Sequence, residues 1–279
     1  MGTDNLEELK EVMYRKGFGT DHTEELEQKL NSGEREFLIK HNEKVKGDHA
    51  AFTIHFARGG EENKAYLNSF DLAYYPNSDT GMKPMFQNFP AKFLITAAEA
   101  LRLLKHGTHV AVNKTLHNKN HEKYNTWISI DTTGAKDEYG NYPLKTFHQN
   151  YYGGEAFDVK EALKQLKTPV KEIEFPMQLQ NAETTLKKGN ILEVTILHNG
   201  SEQKGYITVD PQHAGVKLYD RHPDLKDAIV IEHISRPKNR QGIADNNKQQ
   251  ANSEAVDEKK KYRPSVNWEK KSQNRGYRP

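Results

Sequence analysis

The sequence predicts a mixed α+β fold: repeated α-β-β-β modules forming antiparallel sheets, each covered by a helix, with a disordered C-terminal tail. Three observations carry that expectation. A helix-period stretch closes on glycine and gives way to strand-like alternation three times, with Gly33, Gly107 and Gly189 at intervals of 74 and 82 residues. Leu30, Leu104 and Leu186 each stand three residues before their glycine, and the triplets Phe70/Tyr74/Tyr75 and Phe147/Tyr151/Tyr152 recur at an offset of 77. The last 45 residues lose this patterning and turn polar and basic.

Ahead of the first module, Leu6, Leu9, Val12 and Met13 line one face of a helix over 5–16, before Gly17-Phe18-Gly19. The first module has a helix over 24–31, with Leu26 and Leu30 at i, i+4 and Thr23 as its cap. Gly33 suits the position after a helix, where the backbone turns left-handed. Strands follow from Phe37-Leu38-Ile39, from Phe52-Thr53-Ile54-His55-Phe56 with period two, and from Tyr66-Leu67-Asn68-Ser69-Phe70. In the second module Thr96 caps a helix over 97–105, with Glu99 at capping-box spacing and Leu101 and Leu104 as its apolar stripe. Strands are expected at Val110-Ala111-Val112, at Trp127-Ile128-Ser129-Ile130 and over 144–152, with a turn at Tyr139-Gly140-Asn141. A further helix over 159–166 has Asp158 as its cap. In the third module a helix over 179–188 leads to a strand over 191–197, a hairpin turn at Asn199-Gly200, and strands at Tyr206-Ile207-Thr208-Val209 and Val216-Lys217-Leu218-Tyr219. The expected organisation is therefore 1–92, 93–170 and 171–234 for the modules and 235–279 for the tail. Helix-glycine-strand is a common succession, so chance recurrence stays open beside a true repeat.

Composition narrows the function classes. Only 34% of the 279 residues are hydrophobic and 29% are charged. No run of 18 apolar residues exists, and the first 30 residues carry no apolar secretory core, so a cytoplasmic protein without membrane attachment is expected. The absence of cysteine removes disulfides, thiolate zinc sites and cysteine nucleophiles. Charge is unevenly placed: residues 235–279 hold 12 Lys/Arg against 5 Asp/Glu, net +7, leaving 29 against 34, net −5, for the body.

Three groups of residues bear on chemistry. His117 and His121, with Glu122 adjacent and His106 and His109 nearby, could supply imidazole and carboxylate ligands, although the intervening Asn-Lys-Asn reads as a solvated hairpin tip. Phe147, His148, Asn150 and Tyr151, with Trp127, form a possible ligand surface, the alternative being a strand with one apolar and one solvent face. In the tail, Lys259, Lys260, Lys261, Tyr262 and Arg263, then Trp268, Lys270 and Lys271, then Arg275, Tyr277 and Arg278 interleave cations with rings. Lys and Arg on phosphates release counterions, and Tyr or Trp stack on unpaired bases, so this pattern suits non-specific nucleic-acid attachment. An acidic protein partner or simple solvation would use the same composition. No nucleophile elbow, phosphate loop or His-Glu-x-x-His helix appears, so no catalytic residue, metal or cofactor is assigned.

Several segments in order resemble a known but uncharacterised family. They are Ala111-Val112-Asn113-Lys114, Tyr124-Asn125-Thr126-Trp127 and Phe147-His148-Gln149-Asn150-Tyr151. Gly17-Phe18-Gly19 followed by Glu25-Leu26-Glu27, and Lys187-Lys188-Gly189-Asn190, conform to the same pattern over roughly residues 5–220. The family is encoded on conjugative and other mobile elements of Bacteroidetes, often near topoisomerase and DNA-transfer genes. The chain departs from it over 77–90, where Pro84-Met85-Phe86-Gln87 reads as a loop, and at Gly153-Gly154-Glu155, which reads as an insertion. The resemblance implies a context of horizontally transferred DNA and supplies no catalytic residue. The expected function is a non-enzymatic accessory of mobile-element DNA processing, with the body binding a partner and the tail holding nucleic acid. One alternative is a protein-interaction module or inhibitor that binds no nucleic acid. A second is a metal-dependent hydrolase using the His-rich segments around His117, His121 and His148.

Overall fold

The structure is a computed structural model and describes residues 2–45, 47–59, 63–77, 83–198 and 200–236. The tail residues named above lie outside the described residues. The mixed α+β architecture has three antiparallel sheets. The first follows α1 (Gly2–Lys16) and α2 (Thr23–Asn31) and runs in the order β1 (Glu36–Val45), β2 (Asp48–Gly59), β3 (Lys64–Tyr75), β4 (Met85–Pro90). Then come α3 (Ala97–His106) and a three-stranded sheet of β5 (Val112–His117), β6 (Lys123–Ile130) and β7 (Leu144–His148). After α4 (Val159–Lys164) and α5 (Pro176–Lys187), the third sheet has the order β11-β10-β9-β8, from β8 (Leu192–His198), β9 (Ser201–Asp210), β10 (Gly215–Tyr219) and β11 (Val230–Ile234).

Local chemistry explains the helix ends. Gly33, Gly107 and Gly189 have φ of +72°, +53° and +74°, a region that side chains with a Cβ rarely adopt. Thr96 accepts from the Glu99 amide, and Glu99 accepts back from the Thr96 amide at 2.8 Å, completing a capping box. Asp158 caps α4 through the amides of Lys160 and Glu161. The expected Thr23 cap is replaced by His22, and the Thr23 hydroxyl donates instead to the Thr20 carbonyl at 2.8 Å.

Two apolar interiors form. In the first, α1, α2 and α3 cover one face of the first sheet with Leu9, Met13, Leu26, Ala100, Leu103 and Leu104. Phe18 stands edge-on to Phe52 at 5.4 Å and to Phe70 at 5.3 Å, and Phe70 stacks on Phe89. The second gathers α4, α5 and the inner face of the third sheet, with Leu163, Leu186, Ile196, Ile207, Val216 and Leu218. The middle sheet serves both: Val112, Ile128 and Ile130 point into the first interior, and Trp127 and Phe147 belong to the second, as does Ala111 just before β5. Alternation along β6 sends Trp127 one way and Ile128 the other, as the period of a strand requires.

Four segments differ from the sequence expectation. Residues 84–87, read as a loop, belong largely to β4, an edge strand on β3 whose Phe89 is buried. Gln87 accepts from the Tyr142 amide at 2.9 Å, and the Asn88 amide donates to Asn141 at 2.8 Å, so the segment after β6 ties down β4's polar positions. The strand expected over 144–152 stops at His148, and Gln149–Tyr152 form a 3-10 turn ending at Gly153. Val110 and Ala111 precede β5 rather than belonging to it, and β11 is a strand beyond those the sequence pattern marks.

Candidate functional site

The third sheet turns its inner face to the second interior, and alternation sends Thr208, Asp210 and Lys217 to its other face. Asp210 closes β9 and leads into the 3-10 turn Pro211–His213. Ala214 takes a left-handed φ of +47°, and β10 resumes at Gly215 directly opposite Asp210. Lys217 on β10 pairs with Thr208 on one side and with His233 of β11 on the other. One carboxylate oxygen, Oδ2 of Asp210, therefore receives three groups: Lys217 Nζ at 2.8 Å, His213 Nδ1 at 2.9 Å and His233 Nε2 at 3.1 Å.

Exposure is graded across this cluster. The Asp210 side chain is 8% exposed, whereas His213 and His233 are 40% and 32% exposed. Burial pushes the Asp210 carboxyl up, but the hydrogen bond and charge of Lys217, aided by His213, hold it below the usual carboxylate range. Burial lowers His233, with Asp210 opposing and Lys217 assisting, so its imidazole favours the neutral form.

Backbone and aromatic anchors set this geometry. A Cβ on Gly215 would stand 1.7 Å from the Ile234 carbonyl oxygen, so only glycine lets β11 come close enough to bring His233 beside Asp210. The Tyr151 hydroxyl donates to the Gln212 carbonyl at 3.1 Å, and the Tyr152 hydroxyl donates to the Pro211 carbonyl at 2.8 Å. Burial raises both phenols, which keeps them protonated as donors. The turn that presents His213 is thus pinned at two consecutive carbonyls.

A second histidine group lies around Asp224. His106 Nδ1 is 2.6 Å from Asp224 Oδ2 and His222 Nδ1 is 3.7 Å from the same atom. His109 packs edge-on to Tyr219, and His222 packs edge-on to Tyr206. Burial lowers His109 and His222, in each case against the pull of Asp224.

The residues expected to form a ligand surface divide. Trp127 and Phe147 are 1% and 6% exposed and are interior residues, paired across β6 and β7. Because β7 ends at His148, Tyr151 and Tyr152 fold back onto the Pro211–His213 turn instead of alternating along a strand. His148 lies beside Tyr124 at 6.3 Å, and Asn150 is exposed, its carbonyl accepting from the Gly153 amide. The Trp127 Nε1 donor is buried without an acceptor. His117 and His121 are exposed on the β5–β6 hairpin, where Asn118 bonds Glu122. Among the described residues the three-donor group able to hold a metal is Asp210, His213 and His233 rather than these.

Comparison with protein-family models, curated proteins and solved structures returns no match. The candidate residues are those the geometry assembles. The sequence held one faint signal for them: an Asp-Pro-Gln-His-Ala-Gly run between two strands, with carboxylate and imidazole three residues apart. His233 lies 20 residues beyond His213 and is brought to it by the pairing of β11 with β10, the two rings meeting edge-on at 5.6 Å.

Proposed function

We propose that this chain is a cytoplasmic, non-enzymatic accessory protein of mobile-element DNA processing. The body holds a partner, and the basic segment attaches to nucleic acid without sequence preference. The observation that supports it best is the segregation of charge: net +7 over 235–279 against net −5 over 1–234, with Tyr262, Trp268 and Tyr277 set among the cations. Phosphate contacts by Lys and Arg give affinity through counterion release, and tethering raises the local concentration of whatever the body holds. The resemblance to mobile-element proteins supports the DNA context. Among the described residues no helix is long and apolar enough to cross a membrane.

The test is a filter-binding titration of single-stranded and duplex DNA over a salt series. It compares the full chain with a full-length variant in which Lys259, Lys260, Lys261, Arg263, Lys270 and Lys271 are replaced by Gln. The full chain is expected to bind with an affinity that falls steeply with salt, and the variant to bind far more weakly with a flatter salt dependence. Equal and salt-insensitive binding by both would remove the tail from the mechanism and favour a pure protein-interaction module.

A further inference from the structure

We propose that Asp210, His213 and His233 bind one divalent transition-metal ion of the zinc class at the β9–β10 turn. This assignment is independent of the nucleic-acid role of the tail. One carboxylate oxygen and two imidazole nitrogens are a donor set for zinc and its first-row neighbours, whereas magnesium and calcium favour all-oxygen shells. The spacing agrees. Metal-ligand bonds of about 2.0–2.2 Å place neighbouring donors about 3.0–3.5 Å apart in tetrahedral or octahedral shells. Asp210 Oδ2 stands 2.9 Å from His213 Nδ1 and 3.1 Å from His233 Nε2, and all three donors lie within 4.8 Å of one another.

In the metal-free chain the short contacts are hydrogen bonds in which ring N–H groups donate to Oδ2. On binding, each imidazole gives the ion the lone pair of the nitrogen facing Oδ2, and the proton that nitrogen carried passes to solvent or to the ring's other nitrogen. Lys217 occupies the same oxygen at 2.8 Å and is the cation that the ion displaces, so it sets how tightly the site binds. Three protein ligands leave at least one coordination position for water. The exposure of His213 and His233 leaves that side open to solvent. Tyr151 and Tyr152, holding the Gln212 and Pro211 carbonyls, are positioning residues that fix His213 before any ion arrives.

The experiment uses the full chain stripped with chelator. Zn2+ is titrated by calorimetry and Co2+ by visible absorption, with Mg2+ as the comparison ion. One equivalent of Zn2+ and of Co2+ is expected, with visible Co2+ bands and no Mg2+ heat. His213→Gln and His233→Gln change exposed side chains, so folding survives, as circular dichroism would check; each should weaken binding at least about tenfold. Lys217→Met should tighten it severalfold. The paired change His117→Gln and His121→Gln should leave both titrations untouched. Unaltered affinity in His213→Gln and His233→Gln, or the absence of Co2+ bands, would overturn the site. Loss of the bands in the His117/His121 pair would overturn it too, by moving the ion to the hairpin tip. Unaltered affinity in Lys217→Met would overturn the displacement step.

Discussion

The first and third sheets each carry a histidine-aspartate contact on the face turned away from their helices, and the two contacts are built differently. In the first sheet Asp71 divides its oxygens: Oδ2 faces His55 Nε2 at 2.7 Å and Oδ1 accepts from Asn88 Nδ2 at 2.8 Å. The groups sit on neighbouring strands β2, β3 and β4, so the result is a rung of side-chain hydrogen bonds across a ladder. In the third sheet two imidazoles and an ammonium converge on the single oxygen Asp210 Oδ2. The presence of Asp and His thus says little. Convergence of three groups on one oxygen separates this cluster from the structural rung, and it arises where a turn and two strand ends meet.

Four changes would break or sharpen this contrast. The largest effect belongs to Phe18→Ala. Phe18 is fully buried among Phe52 and Phe70, and its loss should cost about 3–5 kcal/mol in denaturant unfolding while leaving Co2+ affinity intact. Next is Lys16, which donates to the Ile95 carbonyl at 3.1 Å inside the first region. Burial, reinforced by Lys114 and opposed by Glu99, lowers its pKa from 10.5 to about 8. Between those values the unfolded chain binds the proton and the folded chain does not, so this group makes stability rise with pH from about 8 to 10.5. Lys16→Met should remove that rise, up to about 3 kcal/mol of difference in unfolding free energy across the window.

Gly215→Ala should then cost about 2 kcal/mol. Its Cβ has no room beside the Ile234 carbonyl, so β11 must shift; amides of 230–234 should exchange faster, and Co2+ binding should be lost with them. The smallest effect is expected from His55→Gln. It removes one rung of the first sheet and should leave the Co2+ spectrum unchanged. A change there would deny the distinction between the two contacts.

Much of the fold was legible because local chemistry dictated it. The three helix-closing glycines, the Thr96-Glu99 box and the Asp158 cap each depend on a few adjacent residues, and each holds in the structure. β4 and β11 were not legible because both are edge strands that lean on distant partners. Gln87 on β4 finds Tyr142, 55 residues away, and Glu232 on β11 accepts from the amides of Lys167 and Thr168. The period of the aromatic run suggests a surface, yet the strand stops at His148 and the tyrosines turn inward to hold another turn in place. Asp210, His213 and His233 escaped because register, which spacing alone does not encode, brings β11 alongside β10.

The middle sheet works as a party wall. Its alternate residues furnish the rooms on either side, so neither room has plaster of its own on that side. Melting one half would strip a face on which the other is built. Heat should therefore bring both interiors down in a single calorimetric transition, and a protease that opens either half should find the remainder failing soon after.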